Sequence, residues 1–195
     1  MKTLFLFVLL LATGCAGKVA EHNQYLLRSP QAMKAPASDV PARLVIGDIS
    51  VAPYIDQAGL VLARADGSIR VAHNHQWAEP VRSSARSFLA SEISAALGEP
   101  VSRRSHGVAI PELEIDARID QLHGTDNGDA VLVASWTVID APKRTVLIER
   151  GFSRTQPLAS DGYAALVDAE VSLLKQLAAA IAASIPPRPP AEKAN

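Results

Sequence analysis

One cysteine, Cys15, stands among 195 residues. No disulfide can close within the chain, so its fold depends on a packed core rather than on cross-links. Charge of one sign is missing too: 19 Lys and Arg oppose 20 Asp and Glu, a formal net charge of −1. A nucleic-acid binder needs a basic footprint, which this balance excludes, and no polybasic run marks an anionic membrane surface. The short motifs of common chemistry are also absent. There is no Gly-x-x-x-x-Gly-Lys-Ser/Thr or Gly-x-Gly-x-x-Gly to cradle phosphate. There is no Gly-x-Ser-x-Gly elbow, and no cysteine beyond Cys15 to act as a nucleophile.

What is present begins at the first residues. Lys2 precedes the unbroken apolar run 4–11, and Ala12-Thr13-Gly14 lead into Cys15. The run is far shorter than the ~20 residues a membrane span needs, and the order of charge, apolar run and small residues is that of a signal peptide. Residues 1–14 are read as a lipoprotein signal and Cys15 as the lipidated residue. Ala12 stands three places before the cysteine where such signals usually carry Leu. Buried acyl chains contribute about 0.8 kcal/mol per methylene, and more than one chain makes the anchor durable. Ala16, not Asp, follows the cysteine, which favours the outer over the inner membrane.

Residues 15–23 read as a lipidated tether and 186–195 as a Pro-rich disordered tail, because prolines there remove donors and obstruct helical turns. Between them, 24–185 reads as one α+β domain. Residues 43–51 alternate as a strand. Residues 60–64 and 68–72 flank Asp66-Gly67, a hairpin signal. Residues 80–97 carry Val81, Ala85, Phe88, Leu89, Ile93 and Leu97 at helical spacing, with Gly98 and Pro100 as the stop. Residues 112–122 alternate apolar and charged, 130–139 and 145–152 add two strands, and 163–185 is a second amphipathic helix. The order strands, helix, strands, helix predicts an antiparallel sheet with both helices packed on one face.

Candidate chemistry is sparse. His73 and His75 share a strand face and could hold a metal with Glu79, His106 or His123, but no ligand cluster accompanies them. No metal and no other cofactor is expected. Glu112, Glu114, Asp116 and Asp120 line one strand face at period two and read as a solvated face or a rim for a basic partner. Two segments stand out. Pro53-Tyr54-Ile55-Asp56 follows a strand, and Trp77-Ala78-Glu79-Pro80 opens a helix. Aromatic residues at such ends either plug the core or make a contact surface. Trp77 is expected chiefly in the core. Tyr54 and Ile55 are expected to be exposed, and with Asp56, Trp77 and Glu79 they form the candidate partner-binding set.

These segments carry a family resemblance. Tyr25-Leu26-Leu27, Ile49 to Asp56, Leu60-Val61-Leu62-Ala63-Arg64 and Trp77-Ala78-Glu79-Pro80-Val81, in that order, resemble the ABC-type transport auxiliary lipoproteins of the PqiC-like kind. The resemblance is clear over about 25–98 and architectural beyond. It implies a non-catalytic lipoprotein on the periplasmic face of the outer membrane, working with an MCE-domain periplasmic protein and its ABC permease and ATPase in intermembrane lipid transport. The lipoprotein's implied part is docking the MCE assembly at the outer membrane, and a homo-oligomer is compatible with it. The competing readings are an envelope lipid carrier with an internal apolar cavity and an envelope hydrolase.

Overall fold

The computed structural model describes residues 21–33, 42–103 and 111–187. Cys15, the first part of the tether, His106 and the tail from residue 188 lie outside the described residues. The elements are β1 (Asn23–Tyr25), a single 3-10 turn (Pro30–Met33), β2 (Leu44–Val51), β3 (Gly59–Ala63), β4 (Ile69–Trp77), α1 (Val81–Leu97), β5 (Val101–Arg103), β6 (Leu113–Thr125), β7 (Asp129–Asp140), β8 (Thr145–Pro157) and α2 (Tyr163–Ser184).

All eight strands form one sheet. β6 is its centre. One edge of β6 takes β7 in an antiparallel ladder from Leu113↔Asp140 to Gly124↔Ala130, and β8 continues antiparallel to β7. The other edge takes two strands end to end. β2 runs parallel to it from Leu44↔Leu113 to Val51↔Ile119, and β3 resumes at Leu62↔Gly124. β4 folds back antiparallel on β3, with β1 parallel beside it, and β5 lies parallel to β2.

The sheet is therefore mixed, not the antiparallel sheet that the strand order suggests. Period-two alternation tells which face a residue takes, not which strand lies beside it. The chain leaves β2, detours through 52–58 and continues in the same direction as β3. The β4–α1–β5 excursion then returns it to the start of the sheet, so β6 has to run parallel to both. Long crossovers of this kind are what parallel pairs require.

The helices answer their stripes. α1 packs over β2 and β5, α2 over β6, β7 and β8, and the two touch each other. Phe88, Leu89 and Ile93 of α1 meet Leu166, Leu173, Leu177 and Ile181 of α2 in one core with Ile46, Ile49, Ile115, Ile119 and Leu132 of the sheet. Gly98 ends α1 at φ 67, a left-handed conformation that costs glycine nothing. At the lower end, Arg43 is buried and ties four segments together. Its guanidinium meets Glu99 after α1 at 2.8 Å, Glu112 before β6 at 4.0 Å and the Pro186 carbonyl beyond α2 at 3.3 Å, while its own carbonyl accepts from Glu112 and Leu113.

Where β3, β6 and α2 meet, the sheet needs a residue without a side chain. A Cβ on Gly124 would lie 2.5 Å from Leu62 Cδ2 and 3.0 Å from the Leu166 methyls. Gly124→Val should destabilise the protein by about 1–3 kcal/mol, read as a lower urea midpoint at unchanged slope.

Candidate partner-binding site

The candidate segments converge at one place. The Trp77 amide donates to the Ala58 carbonyl at 2.7 Å and the Ala78 amide to the Tyr25 carbonyl at 2.8 Å. Arg82, in the first turn of α1, reaches Asp56 at 2.8 Å. Glu79 pairs with Arg28 and accepts from the Ser84 hydroxyl at 3.3 Å, so its carboxylate joins β1 to the start of α1. There the helix N-terminus favours negative charge. The 25–27 segment, the 52–58 loop and the α1 start are thus one assembly.

Most of that assembly points inward. Trp77 is 6% exposed and belongs to the core. Ile55 is 3% exposed, which corrects the expectation of an exposed apolar contact: the loop turns back so that Ile55 fills the gap between β2 and β3. Tyr54 is half-buried, packs against the core and directs its hydroxyl to the Asp120 carbonyl at 3.4 Å. Of the five residues in the candidate set, Ile55 and Trp77 are buried, Tyr54 and Glu79 are partly exposed and Asp56 is exposed, and the two acids are held in ion pairs.

The histidines separate. His75 lies between two rings, Tyr163 of α2 at 4.3 Å and Tyr25 of β1 at 6.1 Å, both nearly parallel to it, and Tyr25 Oη meets its Nδ1 at 3.0 Å. His123 is buried in β6 beside Tyr54 and bonds the Gly124 carbonyl through Nδ1. Among the described residues no three His, Cys, Asp or Glu side chains gather as metal ligands. The acidic strand face also differs from a simple solvated one. At the bulge in β2, the Asp48 amide donates to Asp116 at 2.7 Å. Glu114 is buried and paired with Arg144 at 2.6 Å.

Sequence reasoning passed over Glu170. It sits on α2, 1% exposed, with no hydrogen-bond partner for Oε2. Burial pushes its carboxyl up to about 8. Burial likewise raises the nearby Tyr54 hydroxyl, an effect to which Glu170 and Asp120 add and which a bond at Leu122 opposes. The signal was its register: Glu170 stands three residues after Val167 and four before Leu174, inside the stripe that α2 buries. At the opposite end of the sheet from Arg43, an open cleft of about 480 Å³ has Leu62, Tyr163 and Leu166 as its floor, with Arg70, Asp126 and Asp161 on its rim.

With this geometry in hand, the chain matches the ABC-type transport auxiliary lipoprotein component family over residues 25–182. It belongs to that family. Among curated relatives, the intermembrane transport lipoprotein PqiC of Escherichia coli K12 and that of Shigella flexneri are each 26% identical over 186 residues. That alignment covers 94% of this chain and 97% of theirs. Two solved structures share the fold. An uncharacterized protein has a TM-score of 0.70 at 20% identity, covering 85% of this chain and 99% of its own. A protein from Xanthomonas campestris has a TM-score of 0.65 at 17% identity, covering 82% and 92%. The family match includes every segment of the converging assembly. Together with its burial, this gives those residues a structural reason for their pattern.

Two outcomes follow. Ile55→Ser should cost about 2–5 kcal/mol, the range for emptying a buried aliphatic site, measured by chemical denaturation. Glu170 binds a proton in the folded protein that the unfolded chain releases near pH 4.5. Stability is therefore greatest below about pH 4.5 as far as this group is concerned. It falls as pH rises toward 8, by up to about 1.4 kcal/mol per pH unit. The difference between wild type and Glu170→Gln, followed by denaturant midpoint from pH 5 to 8, should show that slope.

Proposed function

We propose that this protein is a non-catalytic, lipid-anchored component of an intermembrane transport system, fixed through Cys15 to the periplasmic face of the outer membrane and docking an MCE-domain periplasmic protein there. Membership of the transport auxiliary lipoprotein family carries the reading, and the curated relatives named for intermembrane transport support it over nearly their whole length. The apolar run ending in Ala-Thr-Gly-Cys supplies the anchor. The domain contributes a rigid body. Its buried acids are Glu114, held by Arg144, and Glu170, whose Oε2 has no hydrogen-bond partner, and His75 is engaged in ring stacking. The ABC permease and ATPase belong to the same system at the inner membrane, and contact with them runs through the MCE protein.

The anchor and the partner are tested together. Wild type should fractionate with the outer membrane and retain the MCE-domain protein after detergent extraction. Cys15→Ser should move to the soluble periplasmic fraction and still bind the purified MCE-domain protein. A cleaved Cys15→Ser protein that stays in the outer membrane removes the anchor assignment. Lipid co-purifying in stoichiometric amount, with no MCE-domain protein retained, replaces docking by lipid carriage.

A further inference from the structure

We propose that the free edge of β8 is a strand-addition site for an extended, acidic segment of a partner protein. The proposal takes from the transport reading only that this partner is a periplasmic protein. β8 is thirteen residues long and mostly exposed, and among the described residues it pairs with β7 alone, whereas β1 and β5, at the other margins of the sheet, have three residues each. Long bare edges invite pairing, and proteins usually shorten or cover them.

The ladder shows which backbone groups face outward. The Leu158 amide donates to the Gly128 carbonyl at 2.9 Å, and Gln156, Arg154, Phe152, Arg150 and Ile148 stand opposite Ala130, Leu132, Ala134, Trp136 and Val138. Alternation then turns the amides and carbonyls of Glu149, Gly151, Ser153 and Thr155 to the free side. Two side chains confirm it. Arg150 donates to the Glu149 carbonyl and Arg154 to the Ser153 carbonyl, each at 3.0 Å, so two guanidinium groups cover the outward carbonyls.

Gly151 lies between them. It is not in a positive-φ conformation, and a Cβ there would meet nothing nearer than the Ala134 carbonyl at 4.0 Å. Among the described residues nothing crowds this position, and a bare strand glycine leaves room for another backbone to approach closely.

Charge selects the occupant. Arg28, Arg43, Arg82, Arg86, Arg118 and Arg144 all pair with carboxylates. Among the described residues Arg64, Arg70, Arg150 and Arg154 have no carboxylate partner, and of these Arg150 and Arg154 stand together on β8, with Glu149 on the other face of the strand. A second copy is disfavoured. Antiparallel self-pairing centred on residue 150 sets Arg150 against itself, and centring on Gly151 brings four arginines onto one face with no acid among them. A partner strand with Glu or Asp at alternate positions draws both guanidinium groups off their own carbonyls and leaves the ladder open to it.

The test uses the periplasmic Cys15→Ser protein, isotope-labelled, titrated with an acetylated Glu-Val-Glu-Val-Glu-Val peptide and with its Lys-for-Glu counterpart. The acidic peptide should shift the amide resonances of Glu149, Gly151, Ser153 and Thr155 and bind at least about tenfold more tightly, a difference of about 1.4 kcal/mol. Arg150→Ser with Arg154→Ser should erase that preference without touching the backbone. Gly151→Pro, at an outward amide, should abolish binding while core amides keep their exchange protection. Equal affinity for both peptides, shifts mapping elsewhere, or no shift at millimolar peptide overturns the proposal. If the acidic peptide engages β8 but wild type retains no MCE-domain protein, it is the transport reading that fails.

Discussion

β6 has hydrogen-bonding partners along both edges, and the chain meets that demand on one side with a strand broken in two. The β2 ladder closes where the Ala52 amide bonds the Ile119 carbonyl at 2.9 Å, and β3 does not rejoin until Gly124. Between them the edge of β6 at 120–123 would be bare. The 52–58 loop fills the break: Tyr54 supplies its hydroxyl to the Asp120 carbonyl, and Ile55 closes the core behind it. The bond is part-buried and long, so it contributes less than a buried one would, but it gives the tyrosine a place in the fold independent of any partner. Trp77, bonded by its amide to the end of the same loop, locks the detour against α1. The segments that look like a docking surface in the sequence also close a gap in the sheet.

The buried polar groups divide by whether they have been answered. Arg43 is a charge taken out of water, but it meets two carboxylates and a carbonyl. Losing Glu99, the nearer carboxylate, would leave that charge far less compensated, which is the costly case for a buried ion. Glu114 is answered by Arg144. Glu170 is not, and it is the burial itself that holds its proton on. A neutral carboxyl costs far less inside a core than a carboxylate does, so α2 tolerates an acid in its buried stripe by keeping it uncharged.

Much of this was legible along the chain. Helical spacing located α1 and α2 to within a residue or two, because an apolar stripe on a 3.6-residue repeat has few other solutions. Asp66-Gly67 placed the β3–β4 hairpin, and Gly98 the end of α1. Strand pairing was not legible: Val45 and Glu114 alternate as well in a parallel ladder as in an antiparallel one, and β1 and β5 are too short to leave a periodic trace. At the candidate site the sequence located the segments but not their direction. Pro53-Tyr54-Ile55-Asp56 has the composition of an exposed turn, and only the break between β2 and β3 reveals that Ile55 must point inward. Glu170 was hidden because a single acid in an apolar stripe reads as an interruption rather than as a buried group.

The two margins of the sheet are physically unlike. From β1 the strand order runs β4, β3, β6, β7, β8, five spacings or roughly 24 Å. The β1 margin has three residues. That margin is short, and Glu79 and Arg28 clamp it to the start of α1. The β8 margin is long and basic on the face bearing Arg150 and Arg154, and among the described residues those two side chains are what lies over its outward carbonyls. The backbone groups the core has no use for are concentrated there.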